Sequence, residues 1–395
     1  MTIEIPAHVA EIIDRLEAAG HSAYAVGGSL RDAILGIPPH DWDITTSSLP
    51  EETASLFPDK HVIPTGIKHG TVTVVNNGDP IEVTTYRVDG EYTDSRRPDS
   101  VSFTTSIEDD LSRRDFTVNA MAYSEKRGLV DLFGGREDLR RGIIRAVGDP
   151  EKRFTEDALR IMRAFRFSAQ LDFEIEENTL HAALKLGGRL KNIAAERISS
   201  ELLRLLGSVA AGRALASMGT ILCEILPVSL PTDRLCLVDR LKRDGIARLA
   251  LLLHGRTAEE ISSVASSLKL SGEQKKRLSL LALAEPPADS SGPSLRRFIR
   301  ALGDDAPKAA AMLALLGSAP HSLEADLLTE ATLSPCVSVG RLAIGGRDLI
   351  AEGIASGPSV GHILSLLLEA VIDDPSLNEK QLLIDTAREL VDYHE

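Results

Sequence analysis

Two aspartates flank the single tryptophan of the chain in His40-Asp41-Trp42-Asp43-Ile44. In a strand, residues two apart project to the same face, so Asp41 and Asp43 converge on one point. A carboxylate pair on a rigid element offers the hard oxygen ligands that Mg²⁺ favours, an ion usually held by one or two carboxylates together with phosphates. Upstream, Gly27-Gly28-Ser29-Leu30-Arg31-Asp32 supplies a glycine pair that lets backbone approach a phosphate and an arginine able to clamp it. Together these groups would perform nucleotidyl transfer. Alone, a D-x-D segment is more often a solvated turn and a glycine pair more often a tight bend; the reading rests on their spacing and on two motifs further along the chain.

The first of these, Arg113-Arg114-Asp115-Phe116-Thr117-Val118-Asn119-Ala120, joins a basic pair to an acid. It reads equally well as the charged start of a helix with a capping acid or as a nucleotide contact, arginine on phosphate and aspartate on a ribose hydroxyl. In the second, Glu156-Asp157-Ala158-Leu159-Arg160-Ile161-Met162-Arg163-Ala164-Phe165-Arg166, the residues Ala158, Ile161 and Phe165 recur with Phe154 at helical spacing and predict one buried face. Asp157 and Arg160 then share an adjoining face one turn apart, and Arg163 and Arg166 continue the basic row. The plain reading is an intrahelical ion pair contributing about 0.3–0.5 kcal/mol. The sharper one is chemical: Asp only accepts and Arg only donates, so side by side they match an exocyclic amine next to an unprotonated ring nitrogen. Cytosine and adenine present that edge; guanine and uracil do not, and directional partners reject such mismatches strongly.

The elements that must position these residues alternate in the first part of the chain. A helix near 7–19 ends at Gly20, a short strand Ala23-Tyr24-Ala25-Val26 runs into the glycine pair, and a helix continues over Arg31–Leu35. The strand bearing Asp41 and Asp43 comes next, then a helix opened by Pro50-Glu51-Glu52. Thr71–Val75 and Ile81–Arg87 read as strands joined by the hairpin signal Asn76-Asn77-Gly78, which places Glu82 beside the aspartates as a third carboxylate. From 88 to 112 a polar, arginine-bearing stretch reads as a mobile loop. Beyond 148 the pattern is almost wholly helical, with breaks expected at Pro227–Thr232 and Glu285–Pro293.

Composition narrows the classes. The chain has 395 residues, 43% of them apolar but only 4% aromatic, which predicts several domains with aliphatic helical packing. No apolar run is long enough to span a bilayer, and acids interrupt the apolar N-terminal stretch, so neither a membrane span nor a signal peptide is expected. Cys223, Cys236 and Cys336 form no metal or disulfide pattern; they are expected reduced and buried, as in the cytoplasm. A net charge of −14 argues against a general nucleic-acid binder, although residues 136–204 carry 14 basic against 12 acidic groups.

These motifs, in this order, resemble the class II tRNA nucleotidyltransferases, the bacterial and eukaryotic CCA-adding enzymes, within the poly(A) polymerase/tRNA nucleotidyltransferase superfamily. The match runs from about Ala23 to Leu203 and extends to Arg197-Ile198-x-x-Glu201-Leu202. Leu30 stands where Val is common, and His254 is followed by Gly255, so no His-Asp phosphohydrolase dyad is present. The resemblance implies an α+β protein. An N-terminal, palm-like, polymerase-beta-type nucleotidyltransferase head with a small mixed or antiparallel sheet (1–147) would precede an all-α neck (148–206), body (207–287) and tRNA-binding tail (288–395).

It further implies Asp41 and Asp43 as ligands of two Mg²⁺ ions, with Glu82 as a third catalytic carboxylate. Gly28 and Arg31 would contact the triphosphate, and Arg114 and Asp115 would bind the nucleotide and its ribose. Asp157 and Arg160 would read the base, Arg163 and Arg166 would add contacts, and Arg197 and Glu201 would brace the helices. The implied reaction is template-independent CCA addition to tRNA from CTP and ATP, with release of pyrophosphate; no membrane is involved, and the resemblance implies no protein partner and fixes no oligomeric state. An A-adding specialist working beside a CC-adding enzyme, a poly(A) polymerase and a catalytically silent RNA-binding protein are the alternatives. The acidic C-terminal helices suit a shaped RNA better than generic RNA, and the intact Asp41, Asp43, Arg114 and Arg160 speak for catalysis.

Overall fold

The computed structural model describes residues 3–39, 41–90 and 101–392 and divides into two compact units, 1–235 with 266–270 and 236–265 with 271–395. In the first unit, helix α1 (Ala7–Ala18) buries Val9, Ile12, Ile13 and Leu16, the i, i+3, i+4, i+7 stripe that its sequence spells. The interior strand β1 (Ala23–Val26) is buried at all four positions and continues directly into α2 (Gly27–Ile34). Gly27 has φ +77°, a conformation only glycine adopts freely, and it permits this abrupt strand-to-helix switch. The helix therefore begins at the glycines themselves, one turn earlier than Arg31.

Strands β2 (Asp43–Thr46), β3 (His61–Gly66), β4 (Thr71–Asn76) and β5 (Asp79–Thr85) come after it, with α3 (Pro50–Ser55) between the first two. Two short strands, β6 (Arg87–Asp89) and β7 (Val101–Phe103), pair with each other, and α4 (Ile107–Ser112) comes next, capped by the Ser106 hydroxyl. A loop was expected over 88–112; its described residues instead contribute to β6, β7 and α4, and its segment 91–100 lies outside the described residues. Strands β8 (Ala122–Ser124) and β9 (Gly128–Val130) complete a mixed seven-stranded sheet in the order β3-β4-β5-β2-β1-β8-β9. Only β2 and β5 run parallel within it. Asn77 (φ +53°) and Gly78 (φ +88°) make the tight hairpin turn that Asn-Gly favours. Strand β3 had no sequence signal because Pro64 interrupts it, and it occupies the sheet edge, where proline is tolerated.

Helix α5 (Gly135–Arg141) leads to the short strand β10 (Ile143–Ile144), which pairs with β11 (Glu174–Ile175), a small parallel interruption of the expected all-helical region. Between them lie α6 (Pro150–Glu156) and α7 (Leu159–Leu171). The expected single helix is thus two. Asp157 is extended (φ −136°, ψ 104°) and terminates α6, so it does not share a helix face with Arg160. Phe154, Ala158, Ile161 and Phe165 are nevertheless all fully buried. Helices α8 (Glu177–Leu186), α9 (Ala195–Leu206), α10 (Ala211–Met218) and α11 (Ile221–Ile225) complete this part of the unit.

The second unit has helices and connecting loops but no strand among its described residues. Leu349, Ile363, Leu367, Val371 and Leu383 anchor a buried aliphatic cluster. Arg277 ties together Asp244 and Asp305, donating to them at 3.1 and 2.7 Å. The helices break between Ile225 and Thr232 and between Ala282 and Gly292, the two proline-bearing stretches. No helix among the described residues is long and apolar enough to cross a membrane. The three cysteines form no disulfide, but Cys223 and Cys236 are exposed; only Cys336 is buried as expected, because the other two project from short helices near the interrupted segment.

Candidate active site

The sheet register builds the acidic side of the site. Val26 pairs with Asp43 across β1 and β2, and Asp43 pairs with Glu82 across β2 and β5. The Asp43 carboxylate therefore stands beside the α2 N-terminus, with its Oδ2 3.4 Å from where a Gly27 Cβ would lie. Asp41 is not in the strand but in the bend before it, while Trp42 between them is buried. Asp43 opens to solvent through the mouth of a cavity and is otherwise hemmed in by protein. That partial burial, with the neighbouring charge of Glu82 and then of Asp41, pushes its pKa up, and Arg114 offsets only part of the effect. Mutually repelling carboxylates at the end of a strand fit a divalent cation. Among the described residues no three acidic, His or Cys side chains form a closed cage, which is compatible with Mg²⁺, since that ion completes its shell with water and substrate phosphates.

The cavity has a volume of about 650 Å³. It brings together Gly28, Arg31, Asp41, Asp43, Arg114, Asp115, Asp157, Arg160, Arg163, Arg166 and Arg197 of the sequence-predicted residues. Glu82 and Glu201 are not in its wall. Eight arginines and five aspartates line it, a local positive excess in an acidic chain. The first turn of α2, with backbone N–H groups at Gly27, Gly28 and Ser29 that have no partner within the helix, adds an end whose dipole and donors suit an anion.

Most of these arginines are held by specific partners. Arg31 is buried; its Nη1 donates to Asn119 Oδ1 at 2.8 Å and its Nε to Asp32 Oδ1 at 2.8 Å. Asn119 in turn donates to Asp115 Oδ1 at 3.3 Å. Asp115 Oδ2 accepts from Arg163 Nε at 2.7 Å. Burial alone would raise the Asp115 pKa, but Arg163 and Arg160 outweigh it and hold it at about 2. The side chain is thus ionised and shared between arginine and backbone.

Asp157 and Arg160 do not pair with each other. Asp157 Oδ1 caps α7 by accepting from the Leu159 N–H at 3.0 Å, and Oδ2 accepts from Arg197 at 3.1 Å. Arg160 donates to Glu156 at 3.0 Å and to the Arg113 carbonyl at 2.9 Å. Both still reach the cavity, one as an acceptor and one as a donor. Arg166 pairs with Glu201 at 2.5 Å, so Arg197 and Glu201 both hold cavity residues in place from α9.

Sequence reasoning missed Phe167, Asn119, Gln170, Arg204 and Asp110. The Phe167 ring lies under three cavity arginines, with guanidinium carbons 5.2, 5.2 and 3.8 Å from its centroid for Arg31, Arg163 and Arg166. The ring quadrupole attracts each of these cations. Its only sequence signal was an aromatic beside Arg166 in a helix otherwise read for its charges.

Three family matches run along the chain. Residues 23–145 match the Poly A polymerase head domain, 172–220 the probable RNA and SrmB-binding site of polymerase A, and 243–387 the putative tRNA nucleotidyltransferase domain 2. The CCA-adding enzyme of Leuconostoc mesenteroides is 38% identical over 389 residues, covering 96% of this chain and 95% of its own. That of Geobacillus stearothermophilus is 39% identical over 379 residues, covering 94% and 93%. The crystal structure of the Bacillus stearothermophilus CCA-adding enzyme in complex with CTP superposes with a TM-score of 0.83 at 34% identity, covering 98% of both chains. Identity at this level over almost the full length of both partners, on a shared fold, is decisive: this chain belongs to the family of CCA-adding enzymes.

Proposed function

We propose that this protein adds C, C and A to the 3′ end of tRNA without a nucleic-acid template, using CTP and ATP and releasing pyrophosphate. The observation that carries this reading is a single cavity holding the Asp41–Asp43 pair, the α2 N-terminus, Arg114 and the Asp157–Arg160 acceptor and donor. The Bacillus stearothermophilus relative, which superposes over both full lengths, was solved with CTP, and this supports the nucleotide assignment.

In this scheme Gly27, Gly28 and Arg114 hold the triphosphate, the backbone N–H groups and the guanidinium matching its charge. Arg31 sets the electrostatics from below Gly28, its Nη2 lying 3.6 Å from where a Gly28 Cβ would stand. Asp115, through Arg163 and Asn119, orients the ribose end, and Asp157 with Arg160 reads the base edge. Asp41 and Asp43 would hold Mg²⁺, with Glu82 reinforcing the negative field at Asp43. Bound there, the metal supplies neutralisation of phosphate charge and a lowered pKa at the primer 3′-hydroxyl. The division into head (1–147), neck (148–206), body (207–287) and tail (288–395) assigns nucleotide chemistry to the first two and tRNA grip to the last. A tRNA-processing enzyme drawing on CTP and ATP fits a cytoplasmic location.

The test uses three tRNA transcripts ending at the discriminator base, after the first added C and after the second, each with CTP, ATP or both plus Mg²⁺. Addition of C, C and A and then a stop is the expected result. Addition of A to the CC-ended transcript alone would replace the reading with an A-adding specialist, and unlimited A addition with a poly(A) polymerase.

A further inference from the structure

We propose that Asp110 is a positioning residue for the nucleotide cavity: through one buried carboxylate it fixes Arg114 beside Gly27 and Asp43, where that arginine meets the substrate's phosphates. The inference rests on nucleotidyl transfer as the activity of this cavity. Asp110 is 0% exposed and lies outside the cavity wall, so it touches no substrate itself. Both of its oxygens are engaged. Oδ1 accepts from Arg113 Nη2 at 2.6 Å and Nε at 3.0 Å, and Oδ2 accepts from Arg114 Nη2 at 3.2 Å.

A third partner gives the cluster its direction. The Thr45 hydroxyl lies 3.1 Å from Asp110 Oδ2 and 3.2 Å from the Thr84 carbonyl. Thr45 belongs to β2, the strand that begins at Asp43. Asp110 thereby links α4 and the arginine pair to the strand that carries a metal-site carboxylate and, through Thr84, to its parallel neighbour β5. Arg114 and Asp43 take their separation from one anchor. With Nη2 drawn to Asp110, Arg114 presents Nη1, which lies 3.6 Å from where a Gly27 Cβ would stand.

A fully buried carboxylate is costly unless its charge is compensated. Burial here pushes the Asp110 pKa up, but Arg114 and Arg113 outweigh it and bring it below the ordinary value. Both compensating arginines line the cavity. The anchor is therefore ionic, and a neutral replacement removes what orients them while leaving their own charges in place. A long, rotamer-rich arginine without its partner samples many directions, and preorganised electrostatics is lost first from binding of the charged substrate.

The experiment uses the full chain with Asp110→Ala, Asp110→Asn, Arg114→Ala and the Asp110→Ala/Arg114→Ala double variant, beside wild type and Asp43→Ala. Circular dichroism and thermal midpoints check folding, and steady-state kinetics give kcat and KM for CTP, ATP and tRNA with the pyrophosphate inhibition constant. Asp110→Ala should raise KM for both nucleotides and the inhibition constant for pyrophosphate by about tenfold each, a loss typical of one charge-assisted contact. KM for tRNA should stay within about twofold, since no phosphate of the primer is addressed by this anchor. Asp110→Asn, which keeps an acceptor for Thr45, should recover part of the loss. The double variant should be no worse than Arg114→Ala, because the residue acts through that side chain.

Unchanged nucleotide KM in a folded Asp110→Ala or Asp110→Asn protein overturns the proposal, as does an additive double variant. Failure of both single variants to fold also overturns it, by assigning Asp110 to the fold alone. A wild type that releases no pyrophosphate from CTP or ATP on tRNA would instead defeat the assignment of nucleotidyl transfer itself.

Discussion

At the scale of single residues, the site is built under electrostatic strain on its acidic side and held by ion pairs on its basic side. Asp43 has a raised pKa in the folded state, so its ionised form is less stable there than in the unfolded chain. The destabilisation is absent below the unfolded value of about 3.9, grows as pH rises and is fully expressed above the raised folded pKa. Asp43→Asn should therefore raise the thermal midpoint of the metal-free protein at pH 7 and leave it unchanged at pH 3, while abolishing nucleotide incorporation. Mg²⁺ should raise the wild-type midpoint and have little effect on the variant. Calorimetry across that pH range checks both, and a lowered midpoint at pH 7 contradicts the assignment. For Arg160, loss of the donor should relax discrimination against UTP and GTP by about tenfold or more, on the order expected for a directional partner, while tRNA binding changes little. Unchanged nucleotide choice in Arg160→Ala would remove it from base selection.

Residue identities were legible because they are chemistry at short range: Asp41, Asp43, Arg114 and Arg160 meet in one cavity. What each one touches was not legible. The Asp157–Arg160 spacing predicted two side chains next to each other on one helix face, and the structure instead gives Asp157 to Arg197 and Arg160 to Glu156. Asp110 was passed over because it falls in the polar stretch 88–112, which reads as a mobile loop, and only tertiary packing separates the one buried carboxylate from its more accessible neighbours.

At the scale of elements, the candidate site sits where regular structure changes abruptly. The switch from β1 to α2 at Gly27, the start of β2 at Asp43 and the break between α6 and α7 at Asp157 each expose side chains or N–H groups that a continuous element would hide. Hydrophobic period finds the buried face of such segments but is silent about a break that keeps that face intact, which is why Phe154, Ala158, Ile161 and Phe165 stay buried across two helices. The hairpin at Asn77-Gly78 was readable because its turn demands those residues; edge strand β3, interrupted by Pro64, was not. Gly27 offers an element-scale test. An added Cβ meets Asp43 Oδ2 at 3.4 Å, an ordinary contact, so the penalty comes from the φ of +77° and from crowding of the phosphate approach. Gly27→Ala should cost about 1–2 kcal/mol in stability and raise KM for CTP and ATP together, with KM for tRNA unchanged. A variant with wild-type stability and nucleotide KM would show that the left-handed turn is not what shapes this end of the cavity.

At the scale of the whole molecule, charge and shape pull apart in an informative way. The chain carries −14 overall, yet its cavity is lined by eight arginines against five aspartates. Non-specific RNA affinity is dominated by phosphate neutralisation, which an acidic exterior opposes, so binding must draw on a folded RNA shape that meets a few basic sites at once. Competition measures the balance. Unstructured RNA matched to tRNA in length should inhibit incorporation at least about tenfold more weakly than a non-extendable tRNA at the same salt, and raising the salt should widen that ratio, because the generic contacts are the purely electrostatic ones. Equal inhibition by the two RNAs would mean that the acidic surface does not screen substrates, and discrimination would then have to arise after binding, at the Asp157–Arg160 end of the cavity.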